Sequence, residues 1–328
     1  MMVEGEWTMA TKPNFHPLPR RSEAKTGRLV LIAGPTAVGK SEIALRLAEQ
    51  IGGEIVSADS MQVYRGLDIG TAKPSPADRA RVPHHLIDIC DLTESFDAAQ
   101  FARRAHRAVA EIQSRGHVPI LCGGTGLYFK AFLEGLGEAP SADAKLRTEL
   151  EAMPLEELLA ELRDRDPATY EKIDRKNPRR VIRAVEVIRL TGKPFSEQRA
   201  EWKPEARSQK PEARFLCLTR SPDDLRARIN ARVDEMFRRG LVDETRELLK
   251  HGLEQNKTAM QAIGYRQVVE HLRGERSLAE TIELVKIRTR QFAKRQLTWF
   301  RAQKNVEWIE LKPDESLEKC AQIICETI

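Results

Sequence analysis

Gly34-Pro-Thr-Ala-Val-Gly-Lys40-Ser41 follows directly on the apolar run Leu29-Val30-Leu31-Ile32-Ala33. It precedes a segment in which Ile43, Ala44, Leu47, Ala48 and Ile51 recur at helical spacing. The stretch meets the pattern G-x-x-x-x-G-K-[S/T] at every fixed position, in the strand–loop–helix context a phosphate loop needs. Glycines let backbone N–H groups turn inward around phosphate oxygens, and the helix N-terminus adds positive potential. Lys40 supplies a charge, and Ser41 offers a hydroxyl for Mg²⁺. Gly34, Pro35, Thr36, Ala37, Val38, Gly39, Lys40 and Ser41 are therefore read as a cradle for a phosphorylated ligand.

Outward from this loop, strand-like runs occur at 28–33, 54–57, 86–90, 118–122, 215–218 and 306–311, with helical patterns between the early ones, notably 98–115. Strands alternating with helices predict a parallel α/β sheet with ligand loops at the strand C-termini. Three loops are expected to meet at one edge: the phosphate loop, Ala58-Asp59-Ser60 and Gly123-Gly-Thr-Gly126. Between 135 and 207 the strand-like runs vanish, charge density rises, and 155–165 and 181–190 read as amphipathic helices. The expected architecture is a P-loop NTPase-like parallel-sheet core (28–134 and 208–328) carrying a helical insertion domain (135–207). Its C-terminal part is mainly helical (223–239, 241–251, 278–304) and closed by a short strand near Trp308. Residues 1–27, with Pro13, Pro17 and Pro19 and no periodicity, read as a disordered extension.

Composition narrows the function. The 328 residues are 41% hydrophobic and 31% charged, as in a globular protein, and no apolar run approaches the roughly 18 residues of a membrane span. A cytoplasmic monomer with no membrane partner is expected. The five cysteines show no C-x-x-C spacing and the histidines no ligand pattern, so buried thiols are expected rather than disulfides or zinc. The net charge of +5 is unevenly spread. From Lys286 to Lys304 there are seven basic residues and no acidic one, with Phe292, Trp299 and Phe300 interleaved. A second basic cluster, Arg175-Lys-Asn-Pro-Arg-Arg180, leads into a helix carrying Arg183. Such patches suit a polyanion, although a solvated helix face with inward aromatics has the same pattern.

Asp59, directly after a strand, is placed to serve as a general base or as a partner of a bound Mg²⁺. Thr125 offers a hydroxyl in a loop that backbone can approach closely. Arg228 and Arg232, one turn apart, suit charge on a phosphate leaving group. Each also has a plain structural reading as cap, turn or surface helix. Spacing alone leaves two classes open: a small-molecule kinase or NTPase using ATP, and a transferase whose leaving group is diphosphate.

Taken in order, the phosphate loop, Asp59-Ser-Met-Gln-Val-Tyr64, Asp68-Ile-Gly-Thr-Ala-Lys-Pro74, Gly123-Gly-Thr-Gly-Leu-Tyr128 and Ala262-Ile-Gly-Tyr-Arg266 resemble the tRNA dimethylallyltransferases. Thr289-Arg-Gln-Phe-Ala-Lys-Arg-Gln-Leu-Thr-Trp299 adds to the likeness, which runs from Arg28 to about Trp308. The resemblance implies transfer of a dimethylallyl group from dimethylallyl diphosphate to the exocyclic amine of the adenosine just 3′ of the anticodon in tRNA. It implies that the phosphate loop, Mg²⁺ on Ser41 and Arg228 hold the diphosphate, that Asp59 is the base and that Thr125 positions it or the amine. It further implies contacts to the tRNA anticodon stem-loop from Asp59, Ser60, Met61, Gln62, Thr125, Arg147, Arg179, Arg180, Arg183, Gln261, Gly264, Tyr265, Arg266, Arg290, Gln291, Lys294, Arg295 and Gln296. A kinase would leave the basic helix without a purpose, and an RNA-binding ATPase would leave the Asp59 and Thr125 loops without one.

Overall fold

The computed structural model of the chain describes residues 28–135, 140, 142–198, 213–303, 305–313 and 315–327. The extension read at 1–27, the return segment around Lys203 and Lys210, and Lys304 lie outside the described residues. Six strands form one parallel sheet: β1 Leu29–Ala33, β2 Gly53–Ala58, β3 His84–His85, β4 Val118–Gly123, β5 Ala213–Thr219 and β6 Glu307–Glu310, in the order β3-β2-β4-β1-β5-β6. The helices α1 Lys40–Ile51, α2 Pro76–Arg81, α3 Ala98–Ser114 and α4 Gly126–Glu134 belong to the first half of the core. Then come α5 Ala144–Ala152, α6 Leu155–Arg165, α7 Pro167–Lys172, α8 Pro178–Thr191 and α9 Phe195–Gln198. After β5 follow α10 Pro222–Arg238, α11 Leu241–Lys250, α12 Tyr265–Leu272, α13 Leu278–Arg301 and α14 Leu317–Thr327.

The inner strands read as unbroken apolar runs because both faces of the sheet are covered. Leu29, Leu31 and Ala33 of β1 face a core with Phe101, Phe129 and Phe300, while Val30 and Ile32 face another with Ile43, Leu47 and Ile229. Helices α5–α8 bury a third, separate cluster around Leu158, Leu162, Val181 and Val185. Register then aligns the strand ends. Ala33 pairs with Gly123, and Gly123 with Ala58, so the loops after β1, β4 and β2 begin on one rung.

Two sequence expectations need correction. The third strand lies at His84–His85, not 86–90, because Leu86 and Asp88 take left-handed backbone conformations (φ 62° and 55°) that no strand continues through. The chain also does not close on β6. Helix α14 packs on α1 and buries Cys320, Ala321 and Ile324 beside Ile43 and Leu47. Its signal was present: Leu317, Cys320, Ala321 and Ile324 recur at i, i+3, i+4 and i+7. Cys90, Cys122, Cys217 and Cys320 are buried free thiols as expected, whereas Cys325 is free but only half-buried.

Away from the strand C-termini, Glu54 at the start of β2 is 2% exposed. Arg115 Nη2 donates to it at 2.8 Å, and His85 Nε2 and His117 Nδ1 each lie 2.6 Å from one of its oxygens. Burial pushes its carboxyl up, but the hydrogen bonds from Arg115, His85 and His117 outweigh burial and hold the pKa at about 2, against an ordinary 4.5. A depressed carboxylate pKa stabilises the fold above the unfolded-state value, and that stability is lost as pH falls from 4.5 towards about 2. The depression is worth about 3 kcal/mol at neutral pH. Glu54→Gln is therefore expected to lower the melting temperature by about 5–10 °C at pH 7. Calorimetry from pH 7 down to pH 3 should show the gap to wild type constant above about pH 5 and shrinking below it. A gap that stays constant to pH 3 would remove the linkage.

Candidate active site

The phosphate loop leaves β1 and enters α1 at Lys40. Gly39 stands at the helix N-cap with φ 112°, a conformation that strains any side chain, and no side chain caps α1. The first-turn N–H groups, which lack intrahelical partners, are thus left for an anion. Ala37, Lys40, Ser41, Arg228, Arg232 and Leu317 line a cleft of about 480 Å³ above the loop. Within it, loop carbonyls accept from cations: Lys40 Nζ donates to the Pro35 carbonyl at 2.7 Å and Arg228 Nε to that of Ala37 at 3.1 Å. Ala37 itself is held at φ 64°, a strained conformation for a residue with a Cβ. Burial lowers the Lys40 ammonium to about 8, with Arg232 adding repulsion and Asp59 among the groups that oppose it. Burial also lowers Arg228, beside Arg220, and Arg232, which Asp59 partly compensates.

Asp59 follows β2 on the neighbouring rung. Its Oδ1 accepts from the N–H groups of Met61 (2.8 Å) and Gln62 (3.3 Å), an Asx turn that fixes the carboxylate. Oδ2 takes no hydrogen bond from any described residue. Across from it, the Thr125 N–H donates to the Ala58 carbonyl at 3.2 Å, and Thr125 Oγ1 accepts from Ser60 N–H at 3.2 Å. The Asp59 charge also raises the buried Tyr128 hydroxyl, after burial itself, and is felt at Lys40 and Arg232. Asp59, Lys40 and Arg232 therefore share one electrostatic neighbourhood, and Thr125 is joined to the Asp59 loop through Ser60, as expected for three converging loops.

Several residues expected to touch RNA have other work in this structure. Gln296 is 7% exposed and spends both ends of its amide: Oε1 accepts from Thr36 N–H at 2.8 Å, and Nε2 donates to the Gly124 carbonyl at 2.9 Å. A Cβ on Gly124 would stand 2.2 Å from that Nε2, which is why glycine is needed there. Tyr265 is fully buried; its hydroxyl donates to Glu244 at 2.6 Å and accepts from Gly70 N–H at 3.1 Å, while Glu244 also accepts from Ile69 N–H. Gly264 supplies the left-handed entry to α12 at φ 105°. The Gln62 amide ties the Ser57 hydroxyl to the carbonyls of Thr71 and Ala72. Arg147 (2.6 Å) and Arg183 (2.7 Å) pair with the fully buried Glu186, so their charge is largely committed.

Others remain at the surface. Ser60 and Met61 are half-buried at the mouth, and Arg180, Lys294, Arg295 and Gln291 are exposed. Arg179 reaches from α8 to Gln261 on the core, Arg266 pairs with Glu270 (3.1 Å), and Arg290 donates to Asn230 (2.7 Å). The basic run on α13 is only partly free, since Lys286 is paired with Asp234 and Glu283. Two of its aromatics turn inward: Phe300 is in the core, and Trp299 packs against it edge-on and covers Gly126, while Phe292 is half-buried with the Arg295 guanidinium over its ring. Two residues packed against the phosphate loop went unread in the sequence. Leu317 comes from α14, and Arg220 is the first residue after β5, a position the rule of loops at strand C-termini would have flagged.

The Mg²⁺ expectation can be tested on donor chemistry. Among the described residues no cluster of His, Cys, Asp or Glu could hold a metal, and Glu42 beside Ser41 is turned to Arg46 at 2.6 Å. The exposed Ser41 hydroxyl is left as one oxygen ligand in the cleft. A single protein oxygen suits Mg²⁺, which keeps several waters and takes the rest of its shell from phosphate.

A model of the IPP transferase family matches residues 62–303, most of the chain. The tRNA dimethylallyltransferase of Geobacter sulfurreducens is 50% identical over 287 residues, 86% of this chain and 92% of the relative. That of Geobacter metallireducens is 48% identical over 298 residues, 88% and 94% of the two chains. Among solved structures, the full-length tRNA isopentenylpyrophosphate transferase from Bacillus halodurans superposes with a TM-score of 0.67 at 42% identity, over 92% of this chain and 95% of that one. A eukaryotic dimethylallyltransferase acting on tRNA gives 0.72 at 30% identity, over 87% and 74%. A match of this extent, on a sheet whose strand ends gather the phosphate loop, Asp59 and Thr125, makes this chain a member of the IPP transferase family.

Proposed function

We propose that this protein transfers a dimethylallyl group from dimethylallyl diphosphate to the exocyclic amine of the adenosine 3′ of the anticodon in tRNA, releasing diphosphate. Family membership favours this over an ATP-dependent kinase. The observation that supports the chemistry best is the register of β1, β4 and β2, which starts the phosphate loop, the Thr125 loop and the Asp59 loop side by side, so a proton acceptor and an anion cradle stand at one sheet edge.

In this reading the N–H groups of Gly39, Lys40 and Ser41 and the side chains of Lys40, Arg228 and Arg232 take up the negative charge that develops on the diphosphate as the allylic C–O bond breaks. Lys40 and Arg228 exchange a loop carbonyl for a phosphate oxygen. Ser41 would offer its hydroxyl as a ligand to a Mg²⁺, which would add charge neutralisation for the leaving group. The adenine amine is a weak nucleophile because its lone pair is delocalised into the ring, and Asp59 Oδ2 accepts its proton as attack proceeds. Thr125, fixed through Ser60, orients the amine. The target base must leave its stack to reach this depth, and the exposed Arg180, Lys294 and Arg295 hold the stem-loop phosphates meanwhile. The protein works as a monomer in the cytoplasm.

A transfer assay with radiolabelled dimethylallyl diphosphate, Mg²⁺ and unmodified tRNA tests the reading. Wild type is expected to label the tRNA, and Asp59→Asn to lose about 10²–10⁴-fold in kcat while retaining diphosphate affinity. ATP consumption without label transfer would sink the assignment. Diphosphate affinity is expected to decline as pH rises through about 8, because Lys40 then loses its proton. Titration of Lys40→Gln with pyrophosphate at pH 7 and pH 9 should show that part of the decline gone; an identical pH dependence in both proteins would remove Lys40 from ligand charge balance. Affinity for the anticodon stem-loop should fall about tenfold or more between about 50 and 200 mM salt. Arg180→Ala and Lys294→Ala should each reduce the log–log salt slope by about 1. A flat salt response would exclude phosphate contacts by these side chains.

A further inference from the structure

Val38 O, beside the strained Ala37, accepts from a third cation. Arg220 Nε donates to it at 2.8 Å, from a side chain only 2% exposed. Arg220 Nη1 is itself held by Asp224 at 2.7 Å, one turn into α10. The remaining nitrogen, Nη2, would stand 3.8 Å from a Cβ placed on Gly39, and Leu317 Cδ2 of α14 closes on the same position at 3.2 Å. The carbonyls of Pro35, Ala37 and Val38 are thus bound by Lys40, Arg228 and Arg220 in turn. Lys40 and Arg228 line the cleft and can turn to a ligand; Arg220 is buried, is not among the residues that line the cleft, and is locked by Asp224.

We propose that Arg220 is a positioning residue of the diphosphate site. By holding the buried Val38 carbonyl, it keeps the following N–H of Gly39 aimed at the anion, and Asp224 and Leu317 keep it there. A peptide unit carries its C=O and the next N–H on opposite sides, so a donor fixed on the carbonyl fixes the N–H direction. Arg220 touches no substrate atom in this arrangement; it acts through the Val38–Gly39 peptide. The family-model match starts at residue 62 and ends at 303, so Leu317 lies outside it, while Arg220 stands inside it one residue beyond β5. The inference rests on the cleft being a diphosphate site.

The test compares Arg220→Gln, Arg220→Lys and Asp224→Asn in the full chain by two readouts. These are calorimetric binding of inorganic pyrophosphate with Mg²⁺, and steady-state KM values for dimethylallyl diphosphate and tRNA. Arg220→Gln is expected to weaken pyrophosphate binding about tenfold, the size of one lost charge-assisted hydrogen bond. It should raise KM for the diphosphate substrate in step and leave KM for tRNA unchanged. Arg220→Lys should restore most of the affinity, and Asp224→Asn should lose part of it by freeing the guanidinium. An Arg220→Gln protein that melts like wild type and binds pyrophosphate equally well would overturn the proposal. Were that variant not to fold, wild-type pyrophosphate affinity in Asp224→Asn would overturn it instead. Loss of pyrophosphate binding in Arg220→Gln alongside a wild type that transfers no label would leave Arg220's role standing and remove the reaction; equal transfer kinetics in both proteins would do the reverse.

Discussion

The side-chain amide of Gln296 is the tie on which the site depends. One buried group on α13 bonds the phosphate loop at Thr36 and the β4 loop at Gly124, so neither can drift without the other. The bridge is costly to lose, since a buried N–H or C=O left without a partner costs about 1–3 kcal/mol. It also explains the local sequence. Gly124 has no room for a Cβ beside the amide, and Gly126 has none beneath Trp299, three residues further along α13. The long helix thus acts first as a brace behind the loops and only second as a basic surface.

The two ends of the sheet divide their labour. At the far end, the buried Glu54 gathers the partly exposed Arg115, His85 and His117 into a paired cluster that stabilises β2 against its neighbours. At the strand C-termini, polar groups are arranged with spare capacity. Oδ2 of Asp59 takes no bond from any described residue, α1 lacks a side-chain cap, and Ala37 is held in a strained conformation. Cations rest on loop carbonyls that a more strongly anionic ligand can replace. Spare bonding capacity and strain at one end are tolerable because the other end is over-determined.

The fold class, the phosphate loop and the convergence of Asp59 and Thr125 on it were all legible, because they follow from local rules: apolar runs, glycine spacing, and loops at the ends of parallel strands. Charge was less informative. Arg147, Arg183 and Lys286 carry the composition of an RNA-binding surface, yet they pair with Glu186, Asp234 and Glu283. Of the aromatics among the basic residues of α13, Phe300 lies in the core and Trp299 covers a glycine, as in the alternative of a helix face with inward aromatics. A one-dimensional pattern shows which residues share a helix face; it does not show which acid from another element faces them.

What the sequence by itself determined is the set of short-range commitments: a strand that must turn at Gly34, a helix that must start at Lys40, and an acid placed one residue beyond β2. These depend on backbone sterics and on neighbours within a few positions. Only the tertiary structure decided the long-range partners: Gln296 with Thr36, Tyr265 with Glu244, Arg220 with Val38 and Leu317 with Gly39. Such contacts join residues tens to hundreds of positions apart. Their geometry is set by strand order and helix packing together, and no local pattern carries that information.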